Sequence, residues 1–180
     1  MRGSGTGRGG AEAEEGGEEE EREERERRKT CVIVHGVRES EAQTAQERIN
    51  EDMGQIRQMF GHIHCEEVGV AKIIRLGSRE KKGEENKLEK ARPLKLVLSS
   101  EEEKRMVLRE AKNLREIEEG NWSKVFVHQD RTPKERVRRR VLGEELKRRK
   151  EERGEDLVIF RGKILPRRTH REEVEAEQRS

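Results

Sequence analysis

Cationic side chains crowd the segment DRTPKERVRRRVLGEELKRRKEERGED, residues 130–156, in two clusters on either side of Gly143. A further basic stretch follows at 161–168. Arginine and lysine bind phosphate through charge-assisted contacts, which give affinity without sequence preference. The candidate phosphate contacts in this region are Arg136, Arg138, Arg139, Arg140, Lys147, Arg148, Arg149, Lys150, Arg161, Lys163, Arg167 and Arg168.

The same segment also fits a solvated amphipathic helix. Pairs spaced i, i+4, such as Glu144–Arg148 and Glu145–Arg149, would cancel part of its charge. We expect phosphate binding and keep the solvated helix as the alternative. A smaller candidate patch around the second predicted strand and its loop comprises Arg75, Arg79, Lys81 and Lys82, and Lys95 on the third predicted strand is a further candidate contact.

The chain is too charged to pack from end to end. Of its 180 residues, 46% are charged and 28% are hydrophobic, whereas globular domains average about 25% charged residues. The net charge of +2 hides a segregation: residues 11–28 hold ten Glu and four Arg, and residues 131–171 hold sixteen Lys or Arg and seven Asp or Glu. Such asymmetry indicates a polyanionic partner for the basic region.

Sequence signatures of enzymes and metal sites are missing. The chain has no GxxxxGK, GxSxG or HExxH motif, and the HIHC run at 62–65 lacks zinc-site spacing. We therefore expect no catalysis, no cofactor and no metal. Cys31 and Cys65 are expected to be free thiols in a reducing compartment. With neither a signal-peptide pattern nor a run of about 20 apolar residues, we expect an intracellular protein outside the membrane.

Hydrophobic periodicity predicts the first half of a packed region. Residues 30–37 (TCVIVHGV) are β-branched and end at a glycine turn, which is typical of a strand. Residues 42–60 place Ile49, Met53, Ile56 and Phe60 on one helical face. Residues 67–76 form a second predicted strand, and the polar residues 77–91 form a flexible loop.

The second half of the packed region repeats this pattern. Residues 93–98 (PLKLVL) alternate as a third strand, and Ser100 with Glu103 forms a capping box that starts a helix with Met106 or Val107, Ala111 and Leu114 in its stripe. A fourth strand is predicted at 122–128, with Trp122 in the core or at its rim. The element order predicts an α+β fold with a four-stranded antiparallel sheet and both helices on one face.

The basic region should form a helix followed by a hairpin. Asp130 or Thr132 is the expected N-cap, Pro133 the first helical residue and Gly154 the stop, with Val137, Val141, Leu142 and Leu146 as its apolar stripe. Arg161-Gly162 predicts a two-residue turn. The predicted divisions are a low-complexity arm at 1–29 (disordered or a single charged helix), the sheet domain at 30–130, the helix and hairpin at 131–167, and a frayed tail at 168–180.

Residues 30–165 resemble the RNA-recognition-like (RRM-like, βαββαβ) domain of first-open-reading-frame proteins of LINE-type (non-LTR) retrotransposons, and the N-terminal segment of related reverse-transcriptase elements. The resemblance depends on five stretches: CVIVHGVRES, IIRLGSR, ARPLKLVLSSEEEKRMVLREAKNL, VFVHQDRTPKERVRRRVLGEELKRR and the ending GED-LVI-RGKIL. Arg38 replaces a proline that is usual in the family. The coiled coil that normally precedes this domain and assembles trimers has no counterpart in residues 1–29, which lack an apolar seam.

The resemblance implies a retrotransposon-derived binder of RNA or single-stranded DNA that coats element RNA in a ribonucleoprotein and acts as a nucleic-acid chaperone, in the cytoplasm, the nucleus or both. It implies possible self-association. Two alternatives stay open: a protein-interaction module that uses the open sheet face, and an inactive fragment of an element.

Base-specific readout through the sheet is not expected, because its open face cannot supply the energy of base stacking. CVIVHGV and PLKLVLS contain no Phe, Tyr or Trp, although an ordinary RNA-recognition motif stacks bases on such rings. If Val32 and Val34 face the helices, the open face carries Ile33, His35, Lys95, Val97 and Ser99, and Leu94, Leu96 and Leu98 are buried.

Overall fold

A computed structural model describes residues 9–78, 91–118 and 120–167. The chain divides into two compact units, Met1–Asp130 and Arg131–Ser180. Several predicted features lie outside the described residues: Arg79, Lys81 and Lys82 in the loop, Arg168, and the tail at 168–180.

The first unit is built on a four-stranded antiparallel sheet in the order β2-β3-β1-β4. The strands are β1 (Cys31–His35), β2 (Val70–Arg75), β3 (Leu94–Leu98) and β4 (Phe126–Gln129). Helix α2 (Ala45–His62) connects β1 to β2, and α3 (Glu101–Glu110) lies between β3 and β4. The α+β class and the antiparallel sheet are therefore confirmed.

The core lies on one face of this sheet, as the alternation of residues predicts. Val32, Val34, Leu94, Leu96 and Leu98 are all buried there. The helices cover them with Ile56, Met59 and Phe60 of α2, Val107 of α3, and Leu114 of the 3-10 turn Ala111–Glu116 that extends α3.

Both helices begin at capping boxes, because a hydroxyl and a glutamate three residues later satisfy the free N–H groups reciprocally. Thr44 caps α2 with Glu47, and Ser100 caps α3 with Glu103. The predicted stripe of α2 is wrong at its first member: Ile49 is 43% exposed. Asp52 is buried in the same helix instead, for a reason given below.

The fourth strand starts later than predicted. Residues Trp122–Lys124 form a 3-10 turn, so β4 begins at Phe126. The 3-10 turn passes close to the backbone of Gly36, which follows β1. A glycine is needed there, because its φ is +86° and a Cβ would lie 2.5 Å from the carbonyl oxygen of Lys124. Trp122 packs at the edge of the core, as expected.

Helix α1 (Gly9–Arg28) precedes the sheet, so the predicted arm is helical over this range. Glu–Arg pairs three or four residues apart stabilise it, including Arg22–Glu19 at 2.7 Å and Arg27–Glu23 at 3.0 Å. Its last carbonyl, that of Arg28, accepts a hydrogen bond from Lys104 Nζ at 3.1 Å.

The second unit contains helix α4 (Pro133–Arg153) and the hairpin of β5 (Leu157–Phe160) and β6 (Lys163–Pro166). Thr132 is the N-cap, in a capping box with Glu135, and Gly154 ends the helix at φ +63°. The hairpin turn has positive φ at both Arg161 and Gly162, which is the geometry that a two-residue turn needs.

The described part of the chain contains no helix long and apolar enough to cross a membrane.

Candidate nucleic-acid interface

One face of α4 presents five exposed cations. Residues spaced i, i+3 and i+4 share a helical face, and Arg136, Arg139, Arg140, Lys147 and Lys150 follow this spacing and are all exposed. We call these five residues the cationic stripe. At 1.5 Å per residue the stripe is about 21 Å long.

The stripe is nearly free of compensating acid. Among the described residues, no carboxylate oxygen lies within 4.0 Å of Arg136, Arg139, Arg140 or Lys150. Lys147 has one partner, Glu151, at 3.7 Å, and both side chains are mostly exposed. Unpaired, exposed guanidinium groups keep their N–H donors available to a phosphate. Arg138 is also exposed and without a carboxylate in this range, but it lies on the opposite side of the helix.

The remaining predicted arginines of α4 are engaged. Arg148 pairs with Glu145 at 2.7 Å and with Glu152 at 3.3 Å, and the hydrogen bonds that it donates to Glu145 raise the pKa of the Arg148 guanidinium. Arg149 pairs with Glu155 at 2.7 Å. The predicted partners, Glu144 for Arg148 and Glu145 for Arg149, are therefore wrong, although partial cancellation of charge is real here.

The predicted apolar stripe of α4 splits in two. Leu142 and Leu146 are half-buried, and α4 packs against both strands of the hairpin. Val137 and Val141 are 52% and 55% exposed. Around the helix axis, the centre of the cationic stripe is about 90° from Leu142 and Leu146. The stripe therefore lies beside the two leucines rather than opposite them.

The hairpin adds fewer free cations than predicted. Arg161 lies over the Phe160 ring at 5.4 Å, and Arg167 pairs with Asp156 at 3.0 Å. Lys163 is exposed.

Arg75 is not available for a phosphate, which corrects the prediction. Its Nε and Nη2 donate to Asp52 at 3.1 and 2.6 Å, and its other N–H groups donate to the carbonyls of Val37, Arg38 and Arg92. The side chain is only 10% exposed. All five donors of the guanidinium are thus used inside the fold, which also explains why Asp52 is buried.

Lys95 is likewise engaged, on the open face of the sheet. Its Nζ lies 2.8 Å from Asp130 Oδ2, an ion pair without hydrogen-bond alignment, and Arg28 donates to Asp130 Oδ1 at 2.8 Å. Burial alone would raise the pKa of the Asp130 carboxyl, but Lys95 and Arg28 outweigh burial and lower it. The end of the open face near Cys31 is therefore closed by an ion-pair network.

Sequence reasoning missed a group of rings on the same open face. The edge strand β4 places Phe126 and His128 there, and Phe126 is 52% exposed. His35 of β1 is the register partner of Phe126. The alternation in VFVH at 125–128 could have revealed these two rings, because Val125 and Val127 face the core. Ile33, expected on the exposed surface, is only 6% exposed.

The HIHC run has structural surroundings. The His62 ring lies 5.4 Å from the Trp122 ring, and Cys65 is buried in the core. Burial raises the pKa of the Cys65 thiol, so little reactive thiolate forms. Cys31 is a free thiol buried in β1.

No protein-family model matches this chain. A search of curated proteins also returns no match.

Proposed function

We propose that this protein is a sequence-tolerant binder of RNA or single-stranded nucleic acid that grips phosphates with the cationic stripe of α4. The observation that carries the proposal is the exposure of Arg136, Arg139, Arg140 and Lys150 without a carboxylate partner in the described residues. An arginine-rich helix of this kind would otherwise be expected to pair its charges internally, as α1 does.

The mechanism is counterion release. A nucleic acid strand carries condensed cations, and each phosphate that a protein cation neutralises returns them to solution. Five stripe residues that neutralise about five phosphates give a slope of log affinity against log salt of about −3.5 on a single strand. Since phosphates are identical along a strand, this grip carries no sequence information.

Filter binding of the full chain to a single-stranded RNA across a salt series tests the proposal. We expect the slope of about −3.5 and equal affinity for unrelated sequences. Arg136→Glu with Arg139→Glu and Arg140→Glu should weaken binding to every sequence alike. A response that is flat with salt would overturn the proposal.

The wider proposal is an RRM-like domain of retrotransposon origin that packages RNA in a ribonucleoprotein in the cytoplasm or nucleus and assists strand exchange, as a binding protein rather than an enzyme. Support comes from the sequence resemblance and from the strand and helix order of the first unit. Faster annealing of complementary oligonucleotides in the presence of the chain, at equal salt, would test the chaperone role.

A second candidate is docking of a protein on the open sheet face, favoured by the exposed apolar side chains Ile74 and Phe126. A partner captured in high salt and after nuclease treatment, and lost on changing Ile74 to Glu, would support this role.

A further inference from the structure

Three rings lie together on the open face of the sheet where β1 meets β4. Phe126 is directly opposite His35, a relation that brings two Cβ atoms within about 5.5 Å. His128 follows on the same face of β4, and its ring centroid lies 5.0 Å from that of His35 with the ring planes at 28°. We call His35, Phe126 and His128, which share this face where β1 meets β4, the ring platform.

Fold stability does not explain the exposed Phe126. The chain has three Phe and no Tyr, yet this one is 52% exposed. Its neighbours Val125 and Val127 already attach β4 to the core. An aromatic ring held in water on a sheet presents a π-face without a partner, and this is the surface on which an unstacked base lies.

The two histidines are held in place by hydrogen bonds. His128 Nδ1 lies 2.9 Å from the carbonyl oxygen of Gln129, so this nitrogen carries the proton and donates. His128 Nε2 lies 3.0 Å from His35 Nε2, so a hydrogen bond joins the two rings. Rings fixed before a ligand arrives lose little conformational entropy on binding.

Charge near the platform favours a polyanion. Lys124 is exposed two residues before Phe126, whereas Lys72 is exposed on the same face but on β2, at the opposite edge of the sheet. The carboxylate nearest along β4, Asp130, is already paired with Lys95 and Arg28. The exposed Phe126 ring and the exposed Lys124 fit a base together with its phosphate.

We propose that His35, Phe126 and His128 form a base-stacking platform for single-stranded nucleic acid, separate in role from the cationic stripe. This inference rests on the proposed function, because it assigns a second contact to the same ligand. The platform accepts any base, since every base has a π-face, and it excludes duplexes, whose bases are already stacked. The edge strand β4 provides Phe126, the most exposed of the three rings. A base can therefore stack although the central strands β1 and β3 contain no Phe, Tyr or Trp.

The test compares two single strands of equal length and charge, oligo(dT) and a strand of abasic sites, in binding to the full chain. The wild type should bind oligo(dT) about 5- to 150-fold more tightly than the abasic strand, as expected for one stacked base. Phe126→Ala should remove this ratio and leave affinity for the abasic strand unchanged. Phe126→Tyr, which keeps the ring, should restore it.

Ile74→Ala is the matched control, because it shortens an exposed apolar side chain on the same face without removing a ring. It should leave the ratio intact. An equal affinity for both strands in the wild type, or a ratio that survives in Phe126→Ala, would overturn the platform while the stripe proposal stands. Binding to neither strand would overturn the proposed function and the platform together.

Discussion

Arg75 and Arg139 carry the same side chain in opposite settings. Arg75, at the edge of the sheet in the first unit, gives all its donors to Asp52 and three carbonyls. Arg139, on α4 of the second unit, is exposed and has no carboxylate partner among the described residues. A count of cations therefore says little about binding; what matters is how many donors the fold leaves unused.

The same difference appears between the two halves of α4. Residues 133–142 contain five cations and one acid, whereas residues 144–153 contain five cations and four acids. In the second half Arg148 and Arg149 are paired at 2.7 Å. Lys147 and Lys150 are exposed on the same face as Arg136, Arg139 and Arg140, so the cationic stripe continues from the first half of α4 into the second.

Arg75→Met should have the largest effect in this comparison, and it should act on folding. The change leaves Asp52 buried without its partner, and breaking a buried ion pair from one side costs about 3–5 kcal/mol. Urea denaturation of the full chain should show this fall in the free energy of unfolding.

Asp52→Leu combined with Arg75→Met is the control, since an apolar pair of similar volume removes the stranded charge and should recover much of the loss. At urea concentrations below its unfolding midpoint, folded Arg75→Met should bind RNA with the same affinity as the wild type. If correctly folded Arg75→Met bound RNA much more weakly than the wild type, Arg75 would have to contact the RNA directly.

Arg136→Gln with Arg139→Gln and Arg140→Gln should have the next largest effect, and it should act on binding. Removing three phosphate contacts makes the salt slope shallower by about 2 and weakens binding about 50-fold at 0.15 M salt. The free energy of unfolding should hardly change, because these side chains are exposed and have no carboxylate partner among the described residues. Fluorescence anisotropy of a labelled RNA measures the affinity.

The matched control removes three guanidinium groups from the other side of the same helix: Arg138→Gln, Arg148→Gln and Arg149→Gln. The net charge is identical in both triple variants, so a general electrostatic attraction would weaken binding equally in each. We expect a clearly smaller loss for the control. Equal losses would mean that the stripe has no special role.

The sequence predicted the fold correctly where the buried residues recur at the period of a strand or a helix. Alternation in LKLVL and the Ser100–Glu103 capping box gave β3 and the start of α3 correctly. Periodicity failed at Ile49 because a buried partner for Arg75 shifted the inner face of α2 to include Asp52. That partnership joins residues 23 apart in sequence, and no local pattern reports it.

The candidate interface was predicted as a region but not residue by residue. Charge density identified α4, and the imbalance of acids between its halves was already readable in the sequence. The engagement of Lys95 by Asp130 and the grouping of His35 with Phe126 depend on strand register. Register is a tertiary property, so these contacts required the sheet order.

Glu39→Gln should reduce stability moderately and make it less dependent on pH. The hydrogen bonds from Arg92 lower the pKa of the Glu39 carboxyl despite its partial burial. A lowered folded-state pKa gives stability that is complete above the unfolded value of about 4.3 and is lost as pH falls through the folded value. At pH 7 we expect a loss of about 1–2 kcal/mol.

Urea denaturation at pH 7 and at pH 3 measures this effect. The difference in stability between wild type and Glu39→Gln should narrow at the lower pH, because the wild-type carboxylate becomes protonated. RNA affinity at pH 7 should be the same in both proteins, since Glu39 and Arg92 bind each other. A gap that widens on acidification would contradict the assigned pKa direction.

Gly143→Ala should have the smallest effect and tests whether the two halves of α4 act as one array. Gly143 lies between Arg140 and Lys147 on the stripe, and a Cβ there would meet no atom within 4 Å. Alanine should stabilise the helix by about 0.5–1 kcal/mol and keep RNA affinity. Gly143→Pro should kink the helix and weaken binding, because Lys147 and Lys150 would leave the line of Arg136–Arg140. Unchanged affinity in the proline variant would restrict the interface to the first half of α4.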